Sequence, residues 1–154
     1  MVSVSLDKSI RIWDIPFGCQ VAAYQQDSAI HSLEVLDDGR FATGSCDQTI
    51  RVWSPKGLDY TLSNHTGCVL DLKVINSTHL SSSSTDRTIK IWNLLTKQLS
   101  LTLNSHKAQV ISLELMKNGT LISLSTDNYF KFWDVNNGQL LNTKEIGNTN
   151  VGFI

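Results

Sequence analysis

An all-β chain, built from four copies of one small antiparallel sheet, is what this sequence prescribes. A serine-aspartate turn runs into a strand ending on tryptophan four times, over Ser5 to Trp13, Ser45 to Trp53, Ser84 to Trp92 and Ser125 to Trp133. These are all four tryptophans of the chain, and they recur about every 40 residues, the spacing of stacked repeats rather than of one continuous core. No stretch carries a helical period, and no gap between strand-like runs is long enough for a helix.

Each element of the repeat has a local cause. In the unit from Tyr60 to Trp92, residues 70–75 (LDLKVI) alternate apolar and polar, as a half-buried strand does. Asn76-Ser77-Thr78 supplies turn chemistry, and Leu80 to Ser84 is small enough for a tightly packed strand. Thr85-Asp86-Arg87 closes a tight turn into the β-branched and aromatic run Thr88 to Trp92, and Gln98 to Leu103 follows as a fourth strand. Asp37-Asp38-Gly39 and Lys117-Asn118-Gly119 are hairpin signals at the equivalent turn of the neighbouring units. The chain therefore divides into a partial unit, 1–25, three whole units, 26–64, 65–105 and 106–146, and a segment 147–154 patterned like a first strand.

A four-stranded sheet cannot bury two apolar faces by itself. It can when each sheet packs radially on its neighbours, which is the propeller solution. At this point the chain resembles the WD-repeat β-propeller family over essentially its whole length. The motif is specific: the period, the turn aspartate, and Trp-Asp or its variants at Asp14, Ser54, Asn93 and Asp134. About four blades are expected, in an incomplete ring. Either the chain is a piece of a longer propeller, or its last residues complete the opening blade in a small or dimeric ring. Unpaired strand edges at the two ends invite self-association.

The resemblance implies a buried hydrogen-bond chain of His, Ser or Thr, Asp and Trp in each blade. Two units supply all four: His65, Ser82, Asp86, Trp92, and His106, Ser123, Asp127, Trp133. The indole N–H only donates, the hydroxyl accepts and donates onward, imidazole does both, and the carboxylate accepts, so each group supplies what the next lacks. The second unit has Gln26 in the histidine slot, with Thr43, Asp47 and Trp53. Its amide is expected to donate to Asp47 and its carbonyl to accept from Thr43. The first unit contains Ser3, Asp7 and Trp13 without a histidine position. His, Ser and Asp together also describe a hydrolase triad. A duplicated set whose serine is capped by an indole fits a structural role better, and no catalytic residue is assigned.

Composition narrows the function classes. The chain has 154 residues, with 13 basic against 14 acidic and no basic run, so nucleic acid is not an expected partner. No apolar stretch is long enough to span a bilayer, and the first residues, MVSVS, do not read as a signal peptide. Cys19, Cys46 and Cys68 lack close spacing and read as reduced thiols of an intracellular protein, cytoplasmic or nuclear. The sequons at Asn64, Asn76 and Asn118 read as coincidence, and His79 as ordinary surface. Arg11, Arg51, Lys90 and Lys131, each two before a tryptophan, read as surface residues whose stems cover apolar area. No cofactor is expected. A metal held by His31, Cys46 and Cys68 would need adjacent loops to converge, and no ligand spacing supports it.

The family resemblance places partner contacts on the loops around the narrower face. Carried over by position, these are Leu6; Ala29, His31 and Cys46; Cys68, Leu70 and Thr85; Gln109, Ile111 and Thr126; and Asn150. The set is apolar and small polar, without Arg or Lys, which suits protein or peptide partners rather than phosphopeptides. The expected function is a non-enzymatic interaction scaffold. The alternative is the recognition part of a longer multidomain protein, such as a ubiquitin-ligase component or a kinase-linked chain, with its effector domain elsewhere.

Overall fold

The computed structural model describes residues 1–147, and its regular elements are strands throughout. β1 (Val2–Val4), β2 (Ser9–Asp14) and β3 (Cys19–Gln25) form a three-stranded sheet. β4 (Ile30–Val35), β5 (Phe41–Ser45), β6 (Thr49–Ser54) and β7 (Gly57–Ser63) form the second sheet. β8 (Val69–Asn76), β9 (His79–Ser84), β10 (Thr88–Asn93) and β11 (Gln98–Asn104) form the third. β12 (Val110–Leu115), β13 (Thr120–Ser125), β14 (Tyr129–Asp134) and β15 (Leu140–Glu145) form the fourth. Within each sheet, strands adjacent in sequence pair antiparallel, so each sheet is a plain meander.

The turn before each tryptophan strand is built the same way four times. Lys8, Gln48, Arg87 and Asn128, each directly after the turn aspartate, take the left-handed conformation, with φ of 75, 72, 73 and 68°. A side chain pays for that conformation with steric strain. The aspartate offsets it: Asp47 Oδ1 accepts from the N–H of Thr49 at 3.1 Å and Asp86 Oδ1 from that of Thr88 at 2.9 Å. Asp7 and Asp127 do the same for Ser9 and Tyr129. The N–H of the left-handed residue closes the turn on the serine carbonyl, as Arg87 does on Ser84 at 3.2 Å.

A β-bulge follows in the same register of every sheet, directly before Trp13, Trp53, Trp92 and Trp133. The extra residue lies on the outer strand, at Val21, Asp59, Ser100 and Leu141, where it increases the local twist. Three of the indoles pack against the preceding sheet. Trp53 joins Ile10, Ile30 and Phe41, and its ring stacks 5.3 Å from that of Tyr24 in the first sheet. Trp92 packs with Ile50, Val52 and Leu62, and Trp133 with Ile89, Ile91 and Leu103. The apolar core thus lies between sheets, as a radial stack requires. Trp13 has no described sheet before it and is only half-buried.

Two carboxylates tie the stack at its inner strands. Glu34 Oε1 on β4 accepts from the N–H of Val74 on β8 at 3.0 Å. Asp71 Oδ2 on β8 accepts from the N–H of Leu113 on β12 at 2.7 Å and from the Ser112 hydroxyl at 3.2 Å. The molecule is an all-β propeller portion whose blades do not close into a ring among the described residues. Asn150 and the strand expected over 147–154 lie outside the described residues, save for exposed Gly147.

Candidate functional site

Hairpin geometry sorts the loops to two ends of the sheets. The β5–β6, β9–β10 and β13–β14 turns share one end with the segments leading into β4, β8 and β12. Between these and the core sit the buried polar chains. In the third sheet Trp92 Nε1 donates to Ser82 Oγ at 2.8 Å, Ser82 lies 2.8 Å from His65 Nε2, and His65 Nδ1 lies 2.7 Å from Asp86 Oδ2. A carboxylate only accepts, so Nδ1 carries the imidazole proton and Nε2 accepts from the serine hydroxyl. The fourth sheet repeats this through Trp133, Ser123, His106 and Asp127 at 2.9, 2.7 and 2.9 Å.

The electrostatics agree with that assignment. Burial pushes both imidazoles below the ordinary histidine value, against the opposing pull of Asp86 and Asp127. Burial would raise Asp86, but hydrogen bonds from the Thr88 hydroxyl, the Thr66 N–H and His65 outweigh it and hold its carboxyl at about 2. Neutral imidazole therefore sits beside carboxylate at neutral pH. Ser82 and Ser123 are fully buried, their acceptor sides filled by indole N–H groups. Neither hydroxyl faces a cleft.

The second sheet departs from the expected wiring. Gln26 Nε2 donates to Thr43 Oγ1, which also accepts from Trp53 Nε1 at 2.9 Å. The amide does not reach Asp47. Its oxygen accepts from Arg51 Nη1 at 3.4 Å, and the same nitrogen bonds Asp47 Oδ2 at 2.5 Å. Arginine relays what imidazole relays elsewhere, because Gln26 is occupied by Thr43. In the first sheet Trp13 Nε1 donates to Ser3 Oγ at 2.9 Å. Asp7 there has no imidazole, and a cavity of about 200 Å³ lined by Ser3, Asp7, Ser9, Arg11 and Trp13 occupies that side.

At the turn end, the segments carrying the expected rim residues converge in pairs. The N–H groups of Cys46, Thr85 and Thr126 each donate to the carbonyls of Ala29, Cys68 and Gln109, all at 3.0 Å. Leu6, His31, Gln109, Ile111 and Thr126 are exposed, whereas Ala29, Cys46, Cys68, Leu70 and Thr85 are half-buried.

Comparison with known proteins settles the family. The model of the WD domain, G-beta repeat, matches residues 18–54, 57–93 and 97–134, well over half of the chain. The chain belongs to the WD40 family. It is 36% identical over 53 residues to Mitochondrial division protein 1 of Neurospora crassa, covering 34% of this chain and 8% of that protein. It is 33% identical over 63 residues to the Ribosome biogenesis protein WDR12 homolog of Brugia malayi, covering 40% of this chain and 14% of that one. The chain thus matches a small part of the length of each of these curated relatives. The crystal structure of the WD40 β-propeller domain of Doa1 superposes with a TM-score of 0.86 at 28% identity, over 94% of this chain and 49% of that one. WD40 propellers generally serve as protein-interaction scaffolds without catalysis.

Several features of this WD40 chain were not legible in its sequence. Cys46 and Cys68 are joined by a disulfide, which corrects the reading of three reduced thiols; Cys19 is free and exposed. The partners come from different blades, 22 residues apart, so no motif announces them. The loop convergence that a metal at His31, Cys46 and Cys68 would need does occur. The two sulfurs bond each other, however, and no group of three or more metal-ligating side chains is arranged for an ion among the described residues. Lys90 and Lys131 are buried rather than superficial, their ammonium groups bonded to Thr102 at 3.3 Å and Ser105 at 2.7 Å.

Proposed function

We propose that this chain is a non-enzymatic interaction module whose turn-end rim holds protein or peptide partners. One observation carries the reading: in each whole blade two loops are pinned together there by a main-chain hydrogen bond, leaving side chains such as His31 and Ile111 facing solvent. A rigid frame with exposed, uncharged side chains at loop junctions suits recognition of other chains. Burial of Ser82 and Ser123 supports this reading over a hydrolase one.

A second reading, that the module recognises partners for a longer multidomain protein, is supported by the small share of its relatives' length that it matches, 8% and 14%. An intracellular setting, cytoplasmic or nuclear, belongs to the same proposal, as does pairing of another strand with the edge of β1 that no described strand covers. The rim is tested by affinity capture with the full-length protein, comparing Leu6→Glu/Ile111→Glu with Met116→Glu, which lies in the β12–β13 turn at the other end. Partners should be lost from the rim variant alone. Equal retention by both variants, or loss from Met116→Glu alone, would overturn the assignment.

A further inference from the structure

We propose that Cys46 and Cys68 form a redox-responsive site that reacts with low-molecular-weight disulfides of the glutathione type, with His31 as its base. The site stands independently of what the rim binds. It joins the β5–β6 turn of one blade to the segment leading into β8 of the next. The equivalent pairs at the other blade junctions are Leu6 with Ala29 and Thr85 with Gln109, neither of which can be linked in this way. Among the described residues this junction alone carries the chemistry.

The geometry favours reversible exchange. The backbone of each cysteine is pinned within its own blade, the Cys46 N–H to the Ala29 carbonyl and the Cys68 carbonyl to the Thr85 N–H, both at 3.0 Å. Their Cα atoms lie 3.9 Å apart. Two thiols held so close by separate anchors remain neighbours when the bond is broken, so neither forming nor cleaving it requires a backbone search. Both residues are half-buried and His31 is exposed, so a small thiol or disulfide reaches them from solvent. His31 Nε2 lies 3.2 Å from Cys46 Sγ. An imidazole nitrogen at that distance takes the thiol proton and leaves the thiolate, which is the attacking species.

The exchange balances without another reactant. From the reduced pair, Cys46 thiolate attacks one sulfur of the disulfide RSSR, forming a mixed disulfide and expelling RS⁻, which takes the proton held by His31. The Cys68 thiol then gives up its proton as its sulfur attacks Cys46 Sγ, releasing a second RSH. The protein has lost two hydrogens and RSSR has become two RSH. Reversal by excess thiol reopens the pair. In a reducing compartment such a bond is a response to oxidant rather than a permanent staple.

The test uses the full chain in a Cys19→Ser background, exposed to oxidised glutathione, then alkylated and weighed intact. The reduced protein should accept two alkyl groups; the treated protein should accept none, as a monomer lighter by two hydrogens. Cys68→Ser should stop as a mixed disulfide on Cys46. His31→Ala should slow thiol loss at neutral pH several-fold, while His79→Ala, at the start of β9 on the opposite end of the sheets, leaves it unchanged. Undiminished alkylation after oxidant, or a bond formed between molecules instead, would overturn the site. An unchanged rate in His31→Ala would overturn the part given to the imidazole.

Discussion

The Nδ1 nitrogen of His65 lies 2.7 Å from Asp86 Oδ2, and the two groups answer pH in the same direction. His65 and His106 both have folded values below the ordinary 6.5. The unfolded chain therefore binds protons first as the pH falls. Stability from the neutral imidazoles is complete above 6.5 and is lost as the pH drops below it toward the lower folded values. Asp86, held at about 2 against 3.8, adds a second loss that starts as the pH falls through 3.8. Urea midpoints measured downward from neutral pH should fall first below 6.5 and again below 3.8. A His65→Gln/His106→Gln variant should lose the first step, and a variant that keeps it would refute the assignment.

Truncating the polar chains should rank the blades. His65→Ala leaves the Ser82 hydroxyl without its acceptor and Asp86 without its buried donor, at about 1–3 kcal/mol for each orphaned group. Gln26→Ala should cost less, because Asp47 keeps Arg51 and Thr49. Chemical unfolding of the two variants decides it; a Gln26→Ala loss equal to that of His65→Ala would contradict the relay through Arg51.

Indole position predicts a contrast among the tryptophans. Trp92→Phe removes the N–H that Ser82 accepts and opens space against Ile50 and Val52, a loss of roughly 2–4 kcal/mol. Trp13→Phe should lose about 1 kcal/mol, since that ring is half-buried with no sheet described before it. Thermal melts of the pair would show the difference, and equal shifts would mean that packing on the preceding sheet is not what stabilises the indole.

Gly44 marks a close approach between blades. A Cβ there would press on Ser32 Oγ and lie 2.7 Å from Val69 Cγ1. Gly44→Ala should destabilise by about 1–3 kcal/mol through overpacking. The Ser32 hydroxyl is buried with no hydrogen-bond partner among the described residues, so Ser32→Gly should be well tolerated and should recover part of the Gly44→Ala loss. Additive losses in the double variant, read from unfolding midpoints, would show that the clash lies elsewhere.

Pattern legible along one strand or turn carried over faithfully. Leu70 to Ile75 lies within β8, and the Ser-Asp turns into Trp53 and Trp92 form as their residue types require, because alternation and turn chemistry are local properties. Distance along the chain hid the rest. The wiring of Gln26 depended on how far the Arg51 guanidinium reaches across its own blade, and a side-chain inventory gives donors and acceptors without positions.

The amino-acid sequence by itself determined the repeat and the strand order within each sheet, since these follow from residue type at short or regular spacing, while the family resemblance it carries implied the membership of the His65 and His106 chains. Tertiary structure alone decided that Trp92 packs on the sheet before it, that Asp71 ties β8 to β12, and that Cys46 meets Cys68 beside His31. Those contacts join separate blades, and only the radial stacking of the sheets brings such residues within bonding distance.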